Sequence, residues 1–345
     1  MTLALGMIGI GGLGYLQAEA YVEMEEVTLL TGADVAEEAR TLFQDEFGRP
    51  VYSEYRTMLQ QHADELDAVS IVTPHTLHYD QAMTCLQRGK HVLVEKPMVT
   101  DVGHAQDLVQ TAAERDLVLQ VGYQRHFDPV FQELRRRVVN GHLGSLHTVS
   151  CFIGQDWIRN NQGTWRTDPN LSGGGQLYDT GSHLIDALLW VTDAEPLTAT
   201  AELEFAEPQI DVNGAVTLRL RRDNQPIVAS VGTAGDGVDP VPHEGYVFYG
   251  TDGRLSYAED AIEFTRRDGT TYRTKIEDGS GFKALNRRKL QNFASSIEGV
   301  VDPAVPGDVG LTVTAVTEAV YQAAETGSEV SVQSLLQQSE TPESS

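Results

Sequence analysis

Lys96 stands between Glu95 and Pro97 at the end of an apolar run, HVLV, in a chain with 5 lysines (Lys90, Lys96, Lys275, Lys283, Lys289) against 20 arginines. Residues 91–94 read as a strand buried on both faces. An acid, a base and a rigid kink therefore follow where that strand leaves its sheet. A cation there can hydrogen-bond a hydroxyl and stabilise the alkoxide it becomes; the bland reading is a surface lysine at a strand end. A second stretch, GGGQLYDTGSHLIDALLW (residues 173–190), sets Asp179 and His183 four residues apart, on one face of a helix. Imidazole accepts a proton from an alcohol near neutral pH, and a neighbouring carboxylate sets its tautomer and raises its basicity. The alternative is a helix cap beside a polar core histidine. Asp186, three residues after His183, reads first as a partly exposed helix acid and second as support for the histidine.

The start of the chain carries a third signal. LALGMIGIGGLGYLQAEAYVEM reads as strand, glycine-rich turn and amphipathic helix, with Gly9, Gly11 and Gly14 spaced G-x-G-x-x-G. Gly9 permits the tight turn, Gly11 lets the backbone approach a pyrophosphate, and Gly14 lets the helix pack on the strand. The helix N-terminus then offers N–H groups and a positive dipole end to phosphate. Asp34 falls twenty residues after Gly14, where an acid that binds ribose hydroxyls belongs, although it could equally cap the next helix. The predicted cofactor site takes in Gly12 and Leu13 as well, and Thr73, Pro74, His78, Glu95 and Lys96 at later strand ends. Asp34 would repel a 2′-phosphate, and Val35 follows it rather than an arginine, so NAD is expected, with NADP possible.

The elements that must position these residues alternate through the first third. Apolar runs at Leu3–Ile10, Val27–Leu30, Ala68–Val72, His91–Val94 and Leu117–Val121 flank helical patterns at Val35–Phe47, Leu77–Arg88 and Val102–Glu114. That alternation predicts an α/β fold with a parallel sheet. After Gly122 comes a helix at Asp128–Asn140, then period-2 stretches at 214–222, 226–232 and 245–250. Val216, Leu218 and Leu220 share one face in the first of these, and Thr217, Arg219 and Arg221 the other, as in an antiparallel sheet with one wet face. Helical patterns return at Lys283–Glu298 and Val309–Glu325. The expected division is a dinucleotide-binding domain over 1–123, a substrate and oligomerisation domain over 124–335, and a disordered tail over 336–345.

The net charge is −25, from 50 acidic and 25 basic residues. Such a field repels phosphate backbones and anionic membranes, so neither nucleic acid nor membrane is an expected partner. Acid excess with few lysines points to adaptation to high salt. Two cysteines, Cys85 and Cys151, cannot build a disulfide framework, and no zinc-type spacing is present, so no metal is expected. The first positive side chain is Arg40, which leaves no basic region for a signal peptide, and a cytoplasmic protein is expected.

The motifs TPHTLH (73–78), GKHVLVEKP (89–97), VGYQRHFDPVF (121–131), GGGQLYDTGSHLIDALLW (173–190) and AVTEAVYQAAETG (315–327) resemble, in this order, the glucose–fructose oxidoreductase/inositol dehydrogenase/MocA family of nicotinamide-dependent enzymes. The resemblance runs through nearly the whole chain. It implies a Rossmann domain followed by an α+β domain with a large open, mainly antiparallel sheet, through which members form homodimers or homotetramers. It places Lys96 in the active site and suggests a cis Lys96–Pro97 bond. It also implies catalysis by Lys96, Asp179 and His183, at the mouth between the domains, on a small carbohydrate.

Arg125, Trp157, Arg159, Trp165 and Arg166 are softer candidates for contact with hydroxyls or sugar faces, each as well suited to a structural role. Tyr178, His75 and His78 read more readily as packing residues. The leading function is an NAD(P)-dependent dehydrogenase acting on a secondary or anomeric hydroxyl of a sugar or polyol. An NAD-dependent glycosidase that oxidises its substrate transiently, and a sugar or nucleotide sensor without catalysis, are the alternatives.

Overall fold

In the computed structural model, residues 2–237, 242–258, 261–276 and 281–337 are described. The apolar runs of the first third become six strands: β1 (Leu3–Ile8), β2 (Val27–Ala33), β3 (Val51–Tyr52), β4 (Ala68–Ile71), β5 (His91–Val94) and β6 (Leu119–Val121). All pair in parallel, in the order β3-β2-β1-β4-β5-β6. Strand order reverses beside β1, and ligands of open α/β sheets bind beyond the carboxyl ends at such a point. The connecting helices are α1 (Leu13–Val22), α2 (Glu37–Phe47), α3 (Tyr55–Gln61), α4 (His78–Gln87) and α5 (Val102–Glu114). Every residue of β4 is buried, as a strand covered on both faces requires. Only β3 and α3 lack a sequence signal, being short and amphipathically indistinct.

The chain forms two compact units, Met1–Val99 with Gly103–Gln124 and Phe282–Leu311, and Thr100–Val102 with Arg125–Gly281 and Thr312–Ser345. A second domain running unbroken over 124–335 is therefore not what forms. Helix α10 (Phe282–Ile297) returns to the first unit, where Leu290, Phe293 and Ala294 join Leu5, Tyr21 and Leu29 in one core cluster. Its buried positions recur at Leu285, Lys289 and Phe293 and at Asn286, Leu290 and Ala294, two rows at the i, i+4 spacing.

The second unit is built on nine strands: β7 (Leu146–Gly154), β8 (Glu195–Glu207), β9 (Ile210–Arg222), β10 (Gln225–Ala234), β11 (Glu244–Gly250), β12 (Gly253–Ala258), β13 (Ala261–Arg266), β14 (Thr271–Lys275) and β15 (Val330–Ser331). Their order is β14-β13-β12-β11-β7-β10-β9-β8-β15, antiparallel except for β7 with β10. Val216, Leu218 and Leu220 are buried while Thr217, Arg219 and Arg221 are exposed, as the period-2 pattern predicts. The helices of this part are α6 (Pro129–Val139), α7 (Trp157–Asn161), α8 (Pro169–Ser172), α9 (Ser182–Thr192), α11 (Gly307–Thr326), which begins in the first unit, and α12 (Val332–Gln337). Asp128 caps α6, its Oδ1 accepting from Val130 N at 2.8 Å. Leu336 and Gln337 finish α12 and so are helical; the rest of the expected tail, 338–345, lies outside the described residues.

Candidate active site

The loop between β1 and α1 is shaped for close approach. Gly9 has φ +83°, and a Cβ on Gly14 would sit 2.0 Å from Gly9 O, so helix and loop could not keep this spacing with a side chain there. Above Gly11 the nearest atoms to an added Cβ are Ala39 Cβ at 3.5 Å and Asp34 Oδ2 at 3.9 Å. Gly12 has open space, and no side chain caps α1. A pyrophosphate fits such a cradle, with Leu13 opening the helix beneath it. Asp34 directly follows β2, with Oδ2 accepting from Ile10 N (3.0 Å) and Oδ1 from Ala36 N (2.9 Å). Its carboxylate thus lies against the glycine loop and turns the chain ahead of α2, but it does not cap that helix, whose N-cap is Ala36 with no side-chain hydrogen bond.

Beyond β5 the Lys96–Pro97 bond is cis. Glu95 is buried, and its Oε1 accepts from Gln17 Nε2 (2.7 Å) and from the ammonium of Lys289, itself 2% exposed. Burial alone would raise the Glu95 pKa, but the charge of Lys289, its hydrogen bond and the charge of Lys96 bring it below the usual carboxylate value. His78, buried, presents Nδ1 to Pro97 O and Nε2 to Thr73 O, each at 2.9 Å. Burial pushes its pKa down against the pull of those carbonyls. Thr73 Oγ1 donates to Gln81 Oε1 (2.6 Å). Glu95 and the ring nitrogens of His78 are therefore spent on protein partners, and both shape the loops from which Thr73, Pro74 and Lys96 project.

In the second unit, residues Leu177–Gly181 form one π-helical turn that runs directly into α9, so Asp179 lies in the wider turn and His183 in the first turn of the α-helix. Such turns recur at functional sites. The turn is braced from β9: Asp211 Oδ1 accepts from Gly175 N (2.7 Å), Oδ2 from Leu177 N (2.8 Å), and the Tyr321 hydroxyl donates to Oδ1. A Cβ on Gly175 would lie 2.0 Å from Asp211 O, so the strand and the turn meet only because that residue is glycine. Burial raises the Asp211 pKa against the three donors that favour its charged form. Asp179, also buried, has Oδ2 held by Trp157 Nε1 (2.8 Å) and Arg166 Nε (3.1 Å). Arg166 in turn lies over the Trp165 ring, 4.5 Å from its centroid.

The softer candidates separate. Trp157, Trp165 and Arg166 gather around Asp179. Arg125 instead forms an ion pair with Glu244, its side chain 12% exposed, so its charge is met inside the protein. Arg159 is 82% exposed beside Asp156. Tyr178 donates to Thr100 O at 3.0 Å and stacks on Tyr321, a packing role. His75 is buried. Asp186 is not a partly exposed helix acid: it is 1% exposed and accepts from His126 Nε2 at 2.9 Å, while His126 stacks on Trp190. The expectation failed because residues 182–189 of α9 are buried all round, leaving no wet face for an acid. Among the described residues no cluster of His, Cys, Asp and Glu could hold a metal ion, and no helix is long and apolar enough to cross a membrane.

Sequence reasoning missed Lys289, Asp211, Tyr321 and His126. Lys289 carried a usable signal, since the scarcity of lysine that singles out Lys96 applies to it equally and its i, i+4 neighbours Leu285 and Phe293 are apolar. The other three had none, because each meets its partner across elements far apart in the chain.

Comparison with known proteins agrees with this architecture. Residues 3–123 match the profile of an oxidoreductase family with an NAD-binding Rossmann fold, and residues 131–256 that of the GFO/IDH/MocA C-terminal domain. The rhizopine catabolism protein MocA of Rhizobium meliloti is 31% identical over 59% of this chain and 62% of its own length. An NADP-dependent D-xylose 1-dehydrogenase of Haloarcula marismortui is 26% identical over 94% of this chain and 91% of its own. The inositol 2-dehydrogenase of Rhizobium meliloti is 24% identical over 96% of this chain and 100% of its own. Among solved structures, an oxidoreductase domain protein from Kribbella flavida superposes with a TM-score of 0.86 at 21% identity, covering 96% of this chain and 100% of that one. Levoglucosan dehydrogenase with NADH and L-sorbose gives 0.84 at 20% identity, over 96% and 99%; these two share the fold.

Proposed function

From a chain that belongs to the GFO/IDH/MocA family of NAD(P)-dependent oxidoreductases, we infer a dehydrogenase that oxidises a secondary or anomeric hydroxyl of a sugar or polyol. The observation that carries this reading is Asp179: its carboxylate is fixed by Trp157 and Arg166, on a braced turn four residues ahead of His183. A group positioned that closely is positioned for chemistry. Gly9, Gly11, Gly12, Leu13 and Gly14 would cradle the nicotinamide cofactor and Asp34 would take its ribose; when bound, it would supply the hydride acceptor. His183 takes the hydroxyl proton, Asp179 orients the imidazole and favours its charged form, and Lys96 donates to the same oxygen as negative charge develops on it. Trp165 and Arg166 face the carbohydrate beside Asp179. Full-length relatives named for D-xylose and inositol support a small polyhydroxylated substrate.

The protein works in the cytoplasm, where the NAD(P) pool is, and as a homo-oligomer. The exposed side of the nine-stranded sheet supports the latter: Val228 and Tyr249 flank Thr148, and Ser230 and Val247 flank Ser150, without a charge among them in a chain of net charge −25. Free aldoses, inositols, sugar acids and glycosides, screened with NAD and NADP at high salt, test the function. Net accumulation of reduced cofactor with at least one free sugar is the expected result. Cofactor that cycles without net reduction while a glycoside is cleaved, or no turnover with any of them, contradicts it.

A further inference from the structure

We propose that Lys289 is a positioning residue for Lys96, anchoring and neutralising the Glu95 carboxylate so that the Lys96 ammonium is not drawn onto it. The proposal rests on the reading of Lys96 as the reactive cation. Glu95 and Lys289 are 194 residues apart in sequence, yet the ammonium reaches Oε1 with both side chains nearly inaccessible, 9% and 3% exposed respectively. Gln17 Nε2 donates to the same oxygen at 2.7 Å, and Ser70 Oγ donates to Gln17 Oε1 at 3.0 Å, so the amide has no freedom to flip. On the other side, Oε2 accepts from Lys96 N at 3.4 Å and lies where a side chain at 122 would need to be, 2.5 Å from a Cβ placed on Gly122, so the carboxylate packs against that glycine.

Two of the chain's five lysines thus bear on one carboxylate, Lys289 through a direct hydrogen bond and Lys96 through its charge. Glu95 can be neutralised by only one of them. With Lys289 seated on Oε1, the charge one residue from Lys96 is already met. Remove Lys289 and the nearest cation to a buried, uncompensated carboxylate is Lys96 itself, which would be drawn to Glu95 and away from a hydroxyl. Stability gives weak reason for such a pair, since a buried ion pair seldom outperforms well-packed apolar residues of the same size. Its place beneath the Lys96 turn gives a strong one.

Steady-state kinetics, NAD binding by fluorescence quenching and thermal melting of three variants test this. Lys289→Gln keeps a hydrogen-bond donor and loses the charge; its kcat should fall about 10- to 100-fold, the scale of a misplaced reactive group, with NAD affinity unchanged. Lys289→Arg, which keeps the charge, should retain most of kcat. Glu95→Gln/Lys289→Gln, which leaves no buried unpaired charge and so should fold even if the single variant does not, should recover much of the loss. Equal kcat in Lys289→Gln and Lys289→Arg, or a double variant that turns over no faster than Lys289→Gln, overturns the proposal. Lys96→Met run alongside separates the two readings. If it is inactive while Lys289→Gln turns over normally, only this inference fails; if Lys96→Met turns over normally, the reading of Lys96 fails first.

Discussion

The indole N–H of Trp157 donates to Asp179 Oδ2 at 2.8 Å, across 21 intervening residues and with both side chains buried. A hydrogen bond to a charged group contributes about 1.5–3 kcal/mol, and here it fixes which way the carboxylate turns. Trp157→Phe keeps the ring and loses the donor. Its kcat should drop about 10- to 100-fold, the kinetic equivalent of that energy, while NAD affinity holds. Unchanged kcat would mean that Arg166 alone suffices to hold Asp179.

Cofactor choice should favour NAD. Both oxygens of Asp34 are pinned by backbone N–H groups of Ile10 and Ala36, so the carboxylate cannot swing aside for a 2′-phosphate. Arg40 stands close by, its Nη1 donating to the carbonyls of Asp34 and Val35 at 2.8 Å each, a cation that Val35 alone did not foretell. Asp34→Ser should therefore raise kcat/KM with NADP relative to NAD, and Asp34→Ser/Arg40→Ala should reverse the gain. A wild-type kcat/KM with NADP that equals or exceeds the NAD value contradicts this assignment.

Much of this was legible in the sequence because periodicity and spacing are local. The parallel strands, the helix from Val102 to Glu114 and the buried set Val216, Leu218 and Leu220 all follow from patterns within about fifteen residues. The pairs His126–Asp186, Asp211–Tyr321 and Glu95–Lys289 were not legible, because each joins elements far apart in the chain. The return of α10 to the first unit was missed for the same reason. A helical period shows which face is buried, not which unit buries it.

Acid should weaken the fold partly through α6. Hydrogen bonds from Arg136, offset in part by burial, and then from Arg137 bring the Glu133 pKa from 4.5 to about 2. A depressed carboxylate contributes stability that is complete above its unfolded value and is lost as pH falls through the folded one. The loss should therefore run from about pH 4.5 down to about 2. The side chain is 20% exposed and Arg136 53%, so solvent screening reduces the contribution to about 1 kcal/mol. Glu133→Gln should lower the melting temperature at pH 7 and flatten its decline in that acid window. A parallel shift at every pH would show that the ion pairs contribute nothing.

Activity should require salt. At low ionic strength 50 carboxylates repel one another, whereas screening shortens from about 8–10 Å near 0.1–0.15 M to about 3 Å near 1 M. Melting temperature and kcat should both rise between salt-free buffer and molar salt. Full activity and an unchanged melting temperature without salt would remove the high-salt reading.

The most direct test of the whole account is turnover by His183→Ala and by Lys96→Met at saturating substrate, with NAD binding measured on the same preparations. Neither side chain is asked to hold the pyrophosphate, a role proposed for the loop from Gly9 to Gly14. Loss of a positioned acid–base group should cost about 10²- to 10⁴-fold in kcat while NAD still binds. Near-wild-type turnover in either variant would contradict the assignment of that residue to the chemistry.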